Sequence, residues 1–209
     1  MATPTHPPTL PLRERKKLKT RHTIQDAALD LFVTASFDAI TVEQIAERAE
    51  VAPATVYRYF ATKEDIVVWD DHGTDVAAFL EARDPTEPLL VTIGAVLTDL
   101  LPTSAASDAR LLERTQLVFG TPAILARSRE RRDEVVRAFA AYLAKLRGRR
   151  EDDLDVEIAT RCMFEAFSVA ADRWQRAGGR RSLAHYSAEA FAAMEHWDRP
   201  AHTGRKERR

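Results

Sequence analysis

Residues 24–65 read IQDAALDLFVTASFDAITVEQIAERAEVAPATVYRYFATKED, and this stretch decides the fold. Ile24, Ala27, Ala28, Leu31 and Phe32 recur at i, i+3, i+4, i+7 and i+8, the apolar stripe of an amphipathic helix. Thr41-Val-Glu-Gln44 is a capping box, whose hydroxyl and amide satisfy free backbone N–H groups at a helix start. That second helix buries Val42, Ile45, Ala46 and Ala49. After Glu50-Val51-Ala52, Pro53 suits the first turn of a third helix running to about Phe60, because proline has no N–H to lose. Two short helices joined by a tight turn behind a longer helix make a helix-turn-helix. Ala46 is small enough for the close crossing, Val51 plugs the turn, and Val56 and Phe60 anchor the third helix inward. Thr55, Tyr57, Arg58 and Tyr59 are left for its outer face, although helical neighbours about 100° apart cannot all point one way.

Outward from this core, residues 1–12 hold four prolines and no charged side chain and read as a disordered tail. Residues 13–21 form a basic arm, with Arg13, Arg15, Lys16, Lys17, Lys19 and Arg21 against Glu14 alone. Downstream, Thr62 caps a helix expected to continue to about Arg83, weakened at Gly73. Further helices are expected over about 88–101, 106–118, 122–146, 153–177 and 182–197, and the basic end after Pro200 reads as a second disordered tail. No segment alternates with a strand period and nothing repeats. The fold expected is all-α: a three-helix DNA-binding domain over 13–63 and a six-helix block over 64–198, with tails at 1–12 and 199–209.

Here the residues carry a resemblance. The series Ile24-x-x-Ala27-Ala28-x-x-Leu31-Phe32, Thr41-Val-x-x-Ile45-Ala46-x-x-Ala49-x-Val51-Ala and Thr55-Val-Tyr57-x-Tyr59-Phe60-x-x-Lys63-Glu64-Asp65 resembles the TetR family of bacterial transcriptional regulators. Carried over position by position, the resemblance implies that Thr41 and Thr55 bond phosphates and that Tyr57 and Tyr59 meet backbone or base edges. Lys63 would pin a phosphate at a helix N-terminus. Arg58 falls where the family varies and could pair with guanine O6 and N7. Arg15, Lys17, Lys19 and Arg21 of the arm would track phosphates or enter the minor groove. Two positions depart from the pattern. Glu50 stands where such turns usually hold Gly, and a left-handed conformation there costs roughly 1–2 kcal/mol. Tyr59 stands where the family often has His.

For the second half the resemblance implies an inducer cavity and pairing with a second copy, giving a ligand-responsive repressor that binds a palindromic operator as a homodimer. Trp69, Phe79, Leu97, Leu112, Phe119, Phe139 and Phe167 are candidate apolar lining, and Arg114, Gln116, Arg127 and Glu165 are candidates to orient a small hydrophobic or amphipathic effector. For each apolar residue simple core is the favoured reading, and each polar one serves equally well at a surface or an interface. The neighbourhood from Arg58 to Trp69-Asp-Asp is similar to a subgroup whose large pockets take acyl-type ligands. The helix around 153–177 is apolar almost all round from Cys162 to Ala171, and the last helix adds Ala188, Ala192 and Ala193, which fits a four-helix dimer interface.

Other classes are excluded by chemistry. No nucleophile elbow or glycine-rich phosphate loop is present, so an enzyme is not expected, nor a cofactor. Asp70, Asp71 and His72 are contiguous and splay around a helix, a poor metal arrangement. Cys162, the single cysteine, reads as inert and excludes an internal disulfide. Lack of a secretory signal or a membrane-length apolar run points to the cytoplasm. A net charge of −1 argues against a nucleic-acid partner only as an average. Residues 13–63 carry nine basic and seven acidic side chains, net +2, and the remainder 22 and 25, net −3. The alternatives are a helical adaptor with a structural helix-turn-helix and a DNA-binding regulator that needs no ligand.

Overall fold

A computed structural model describes residues 11–70, 78–99 and 105–195. Among them run α1 (Leu12–Thr34), a 3₁₀ turn (Phe37–Ala39), α2 (Val42–Arg48), α3 (Pro53–Tyr59) and α4 (Lys63–Val68). Then come α5 (Leu89–Asp99), α6 (Ala105–Gly120), α7 (Pro122–Leu146), α8 (Leu154–Arg176) and α9 (Leu183–Glu195). A further helical turn covers 78–81, and no strand occurs among the described residues. The all-α architecture stands.

Two elements differ from their sequence expectation. The basic arm is not a separate arm: α1 starts at Leu12 and runs unbroken through Thr34. Its Leu, Lys, Arg and Glu residues are strong helix formers, and Lys17 bonds Glu14 one turn back at 2.8 Å. Leu12, expected in the tail, is helical. The helix expected over 62–83 stops at Val68, with Trp69 in an extended conformation at φ −67° and ψ 138°. Gln25 Nε2 donates to the carbonyls of Ile66 and Trp69 at 2.8 and 2.9 Å, so α1 satisfies groups that a continuing helix would have used. Asp71, His72 and Gly73 lie outside the described residues, as do the two tails apart from Pro11 and Leu12.

The described chain divides into two compact units. The first comprises 11–70 with 113–132, and the second 78–99, 105–112 and 133–195. This differs from a boundary at residue 63, because α4 belongs wholly to the first unit and the end of α6 and start of α7 join it. Ile24, Ala28, Phe32, Ile45, Val56, Ile66 and Ile124 form its shared core. Ile124, from α7, is fully buried there. In the second unit, Leu80, Ile93, Val96, Phe139, Leu143, Val156 and Met163 form a core among α5, α7 and α8. Gly94 permits close approach: a Cβ there would lie 3.3 Å from Met163 Cε and 3.6 Å from Phe191 Cδ2. At the start of α5, Thr92 Oγ1 donates to Glu87 Oε2 at 2.7 Å, and Arg147 reaches both Thr92 and the Glu87 carbonyl. Arg83 Nε donates to Glu87 at 2.7 Å. Those bonds hold the Glu87 carboxyl down at about 2, with the Arg83 contact the largest cause.

Candidate nucleic-acid interface

The turn between α2 and α3 is built by backbone bonds that set the angle of α3. Thr41 and Gln44 form the expected reciprocal cap, with Thr41 N–H donating to Gln44 Oε1 at 2.8 Å and Gln44 N–H to Thr41 Oγ1 at 3.3 Å. At the other end, Val51 N–H donates to Ala46 O at 2.9 Å and Glu50 N–H to Glu47 O at 3.1 Å. That pair of bonds is a Schellman motif, which requires a left-handed residue after the cap. Glu50 supplies it with φ 54°, the one positive-φ non-glycine residue among those described. The same motif closes α7 at Gly148 and α8 at Gly178, both with positive φ. Glu50 therefore performs a glycine's task.

Val56 on α3 and Phe60 at its C-cap are buried in the first unit's core, while Tyr57 is 54 % exposed and Arg58 is exposed. Thr41 is exposed and Thr55 is half-buried. Tyr59 is half-buried and packs on the first unit's core, with the Arg58 guanidinium carbon 5.3 Å from its ring centroid. Outward residues thus separate into Tyr57 and Arg58, presented to solvent, and Tyr59, turned partly inward. Lys63 is engaged within the protein. Its Nζ donates to the carbonyls of Phe37 and Ile40 at 2.9 and 2.7 Å and lies 4.6 Å from the Phe37 ring centroid. Two of the three ammonium donors hold the segment before α2, leaving one for an outside anion.

A helical α1 also redistributes the basic residues. Arg15 and Lys19 share one row, whereas Lys17 and Arg21 lie roughly 200° further round at about 100° per residue. Arg15 and Lys19 are exposed; Lys17 pairs with Glu14; Arg21 sits beside Tyr59 and Trp69.

The candidate ligand-lining residues fall into both units. Trp69 is a core residue of the first unit, edge-on to His22 at 4.9 Å and to Phe60 at 6.1 Å between ring centroids. Its carbonyl accepts from Arg114 at 3.1 Å. Arg127 pairs with Asp65 at 2.6 Å and with Glu130 at 3.1 Å, and the Asp65 bond foremost raises its already high pKa. Gln116 is exposed and Phe119 half-buried in that unit. In the second unit Leu97 and Phe139 are buried in the core, Phe79 and Phe167 pack against it, and Glu165 is exposed. Leu112 lies against Gly179, where an added Cβ would meet its Cδ2 at 2.8 Å.

Sequence reasoning missed Gln25, a buried amide on the inner face of α1, and Leu29, also buried there. Their signal was present, since Gln25, Ala28, Leu29 and Phe32 also follow helical spacing. It named Val169 within the apolar stretch of α8 but missed Leu154 and Ile158 on the same face. Leu154 (66 %), Ile158 (51 %) and Val169 (47 %) share one face, next to a groove between α8 and α9 lined by Ala166, Ala170, Tyr186, Ala190, Ala193 and Met194.

A buried scaffold holding a solvent-facing α3 behind a capped, left-handed turn is the arrangement of a helix-turn-helix DNA-binding protein. Comparison with known proteins agrees. Residues 24–68 match the family described as bacterial regulatory proteins, tetR family, and residues 73–197 match the MftR C-terminal domain. The chain is similar to the transcriptional regulator TcmR of Streptomyces glaucescens, 32% identical over 166 residues covering 76% of this chain and 72% of that protein. Among solved structures, NalD of Pseudomonas aeruginosa, secondary repressor of a multidrug efflux pump, matches with TM-score 0.56 and 20% identity, over 86% of this chain and 96% of that one. FadR of Thermus thermophilus, a repressor in complex with lauroyl-CoA, matches with TM-score 0.51 and 22% identity, over 84% and 93%. At those identities the two structures show the shared fold. The chain belongs to the TetR family of bacterial transcriptional regulators, and its relatives are regulators and not enzymes. No described helix is long and apolar enough to cross a membrane.

Proposed function

We propose that the protein is a homodimeric repressor that binds a palindromic operator and is released by a small hydrophobic or amphipathic effector. The observation that carries the DNA half is the division of α3 into buried Val56 and Phe60 and outward Tyr57 and Arg58. Tyr57 and Arg58 would meet base edges, while Thr41, Thr55 and the remaining Lys63 donor would meet phosphates. Arg15 and Lys19, exposed along one row of α1, would add sequence-independent attraction. Two copies are supported by the exposed Leu154–Ile158–Val169 face on α8, since an apolar row of this kind marks an interaction surface. A dimer spaces its two recognition helices about one helical turn of DNA apart.

The effector acts through differential affinity for the two states of the dimer, one matching the half-sites and one not. Acyl-type molecules are the first class to test, because FadR of Thermus thermophilus was solved with lauroyl-CoA. A mobility-shift assay on the duplex upstream of its own gene tests the core of the reading. Arg58→Ala should lower affinity for the selected sequence by about 1–3 kcal/mol while sparing unrelated duplexes. Equal loss on both would show that Arg58 does not read bases. Mass spectrometry of molecules retained by natively purified protein then tests for the effector.

A further inference from the structure

Arg58 is the single cation of α3, and its side chain is exposed. Ordering such a long stem against a base edge costs conformational entropy. Its guanidinium carbon lies 5.3 Å from the Tyr59 ring centroid, and no hydrogen bond or ion pair holds it among the described residues. A ring attracts a cation without accepting its N–H groups as an oxygen does, so all five donors stay available to an outside acceptor. Tyr59 itself is fixed. It is half-buried, packs against the first unit's core, and has the Arg21 guanidinium carbon 5.8 Å from its ring centroid. Two residues on from Tyr57, it lies about 200° further round α3, so the two tyrosines do not face one groove together.

We propose that Tyr59 is a positioning residue for operator recognition: its ring, not its hydroxyl, serves the interface, by holding the Arg58 guanidinium ready for a guanine O6 and N7. This rests on the DNA-binding reading above, and it replaces the direct DNA contact that the family resemblance implied for Tyr59. Pre-ordering Arg58 lowers the freedom lost when its planar fork meets two acceptors. The departure from the family's frequent His then has a physical reason. A neutral phenol ring attracts a guanidinium, whereas an imidazole that protonates would repel it. The effect is confined to sequence discrimination, because general attraction to the DNA backbone does not need Arg58 aimed at a base.

The test uses the full-length protein and the duplex it enriches from a randomised pool, with affinity followed by fluorescence polarisation. Each guanine of that duplex is replaced in turn by 7-deazaguanine, which lacks the N7 acceptor, and a scrambled duplex reports sequence-independent binding. Arg58→Ala identifies the guanine it reads, as the position where the parent's 7-deaza penalty disappears. Tyr59→Leu should cut the ratio of enriched to scrambled affinity about threefold and shrink the penalty at that guanine. Tyr59→Phe keeps the ring and should hold both at parental values. Loss of folded protein lowers both affinities alike and leaves the ratio unchanged, so a destabilised Y59L still reports. Equal losses in Y59F and Y59L would overturn the proposal and assign the contact to the hydroxyl. A parental ratio and penalty in Y59L would overturn it as well, leaving Tyr59 to the core. If no guanine penalty depends on Arg58, the ring has nothing to aim, and the proposal falls while DNA binding stands. A parent protein that enriches no duplex would overturn the DNA-binding reading itself.

Discussion

Glu50 stands in a left-handed conformation because two backbone bonds at the end of α2 demand one. The requirement was readable from spacing alone: a three-residue link between a capped helix and Pro53 leaves room for little but a tight turn. Replacing Glu50 with Gly should relieve the strain and stabilise the fold by about 1 kcal/mol, seen as a higher denaturation midpoint. A lower midpoint would show that the glutamate side chain contributes more than its backbone costs. Val56, Phe60, Tyr57 and Arg58 were equally legible, since 100° per residue separates inward from outward positions. Lys63 and Trp69 were not. Lys63 bonds carbonyls at 37 and 40, and Trp69 meets His22 and Phe60, partners that only folding brings near.

At the scale of elements, α1 and α4 show opposite errors of one kind. Residues 13–21 hold a single apolar side chain, Leu18, which packs on the core but makes no stripe, so periodicity stopped at Ile24 while intrinsic propensity carried the helix back to Leu12. In α4 the pattern continued, but Gln25 and Arg114 occupy the carbonyls near Trp69, and the helix ends. Gln25→Ala should therefore cost about 1–3 kcal/mol, because it strips acceptors that lie buried. Thermal melts check this, and a change within a few tenths would mean that water replaces the amide. The caps at Thr41 and Thr62 were visible in sequence because a capping box needs only residues three apart.

For the whole molecule, the division into units was the least legible feature. The parts of α6 and α7 that join the first unit, 113–132, look like any other amphipathic helix; burial of Ile124 in the core with Ile24 and Ile66, and the bonds of Arg114 to Trp69 and of Arg127 to Asp65, assign them. The paired assembly yields a direct test. Ile158→Glu places a charge on the exposed α8 row and should convert a dimer to monomers in sedimentation, with loss of operator binding. A dimer that survives it would need another interface. The second unit holds one carboxyl that ties stability to acid pH. Glu87 is held near 2, below its ordinary 4.5, so its bonds stabilise the fold above the ordinary value and are lost as pH falls from there toward 2. Glu87→Gln should flatten the decline in melting temperature over that window while lowering stability at neutral pH. A parallel acid limb in E87Q would place the sensitivity elsewhere.

What the sequence by itself determined is local: the helices, the capped turn, the faces of α3 and the family they announce, all set by neighbours a few residues apart. Tertiary structure alone decided where α4 stops, which body claims each half of α6 and α7, and what stands around Arg21, Lys63 and Trp69. Those outcomes depend on hydrogen bonds and ring contacts between residues distant in the chain, and no helical period encodes which distant groups will meet.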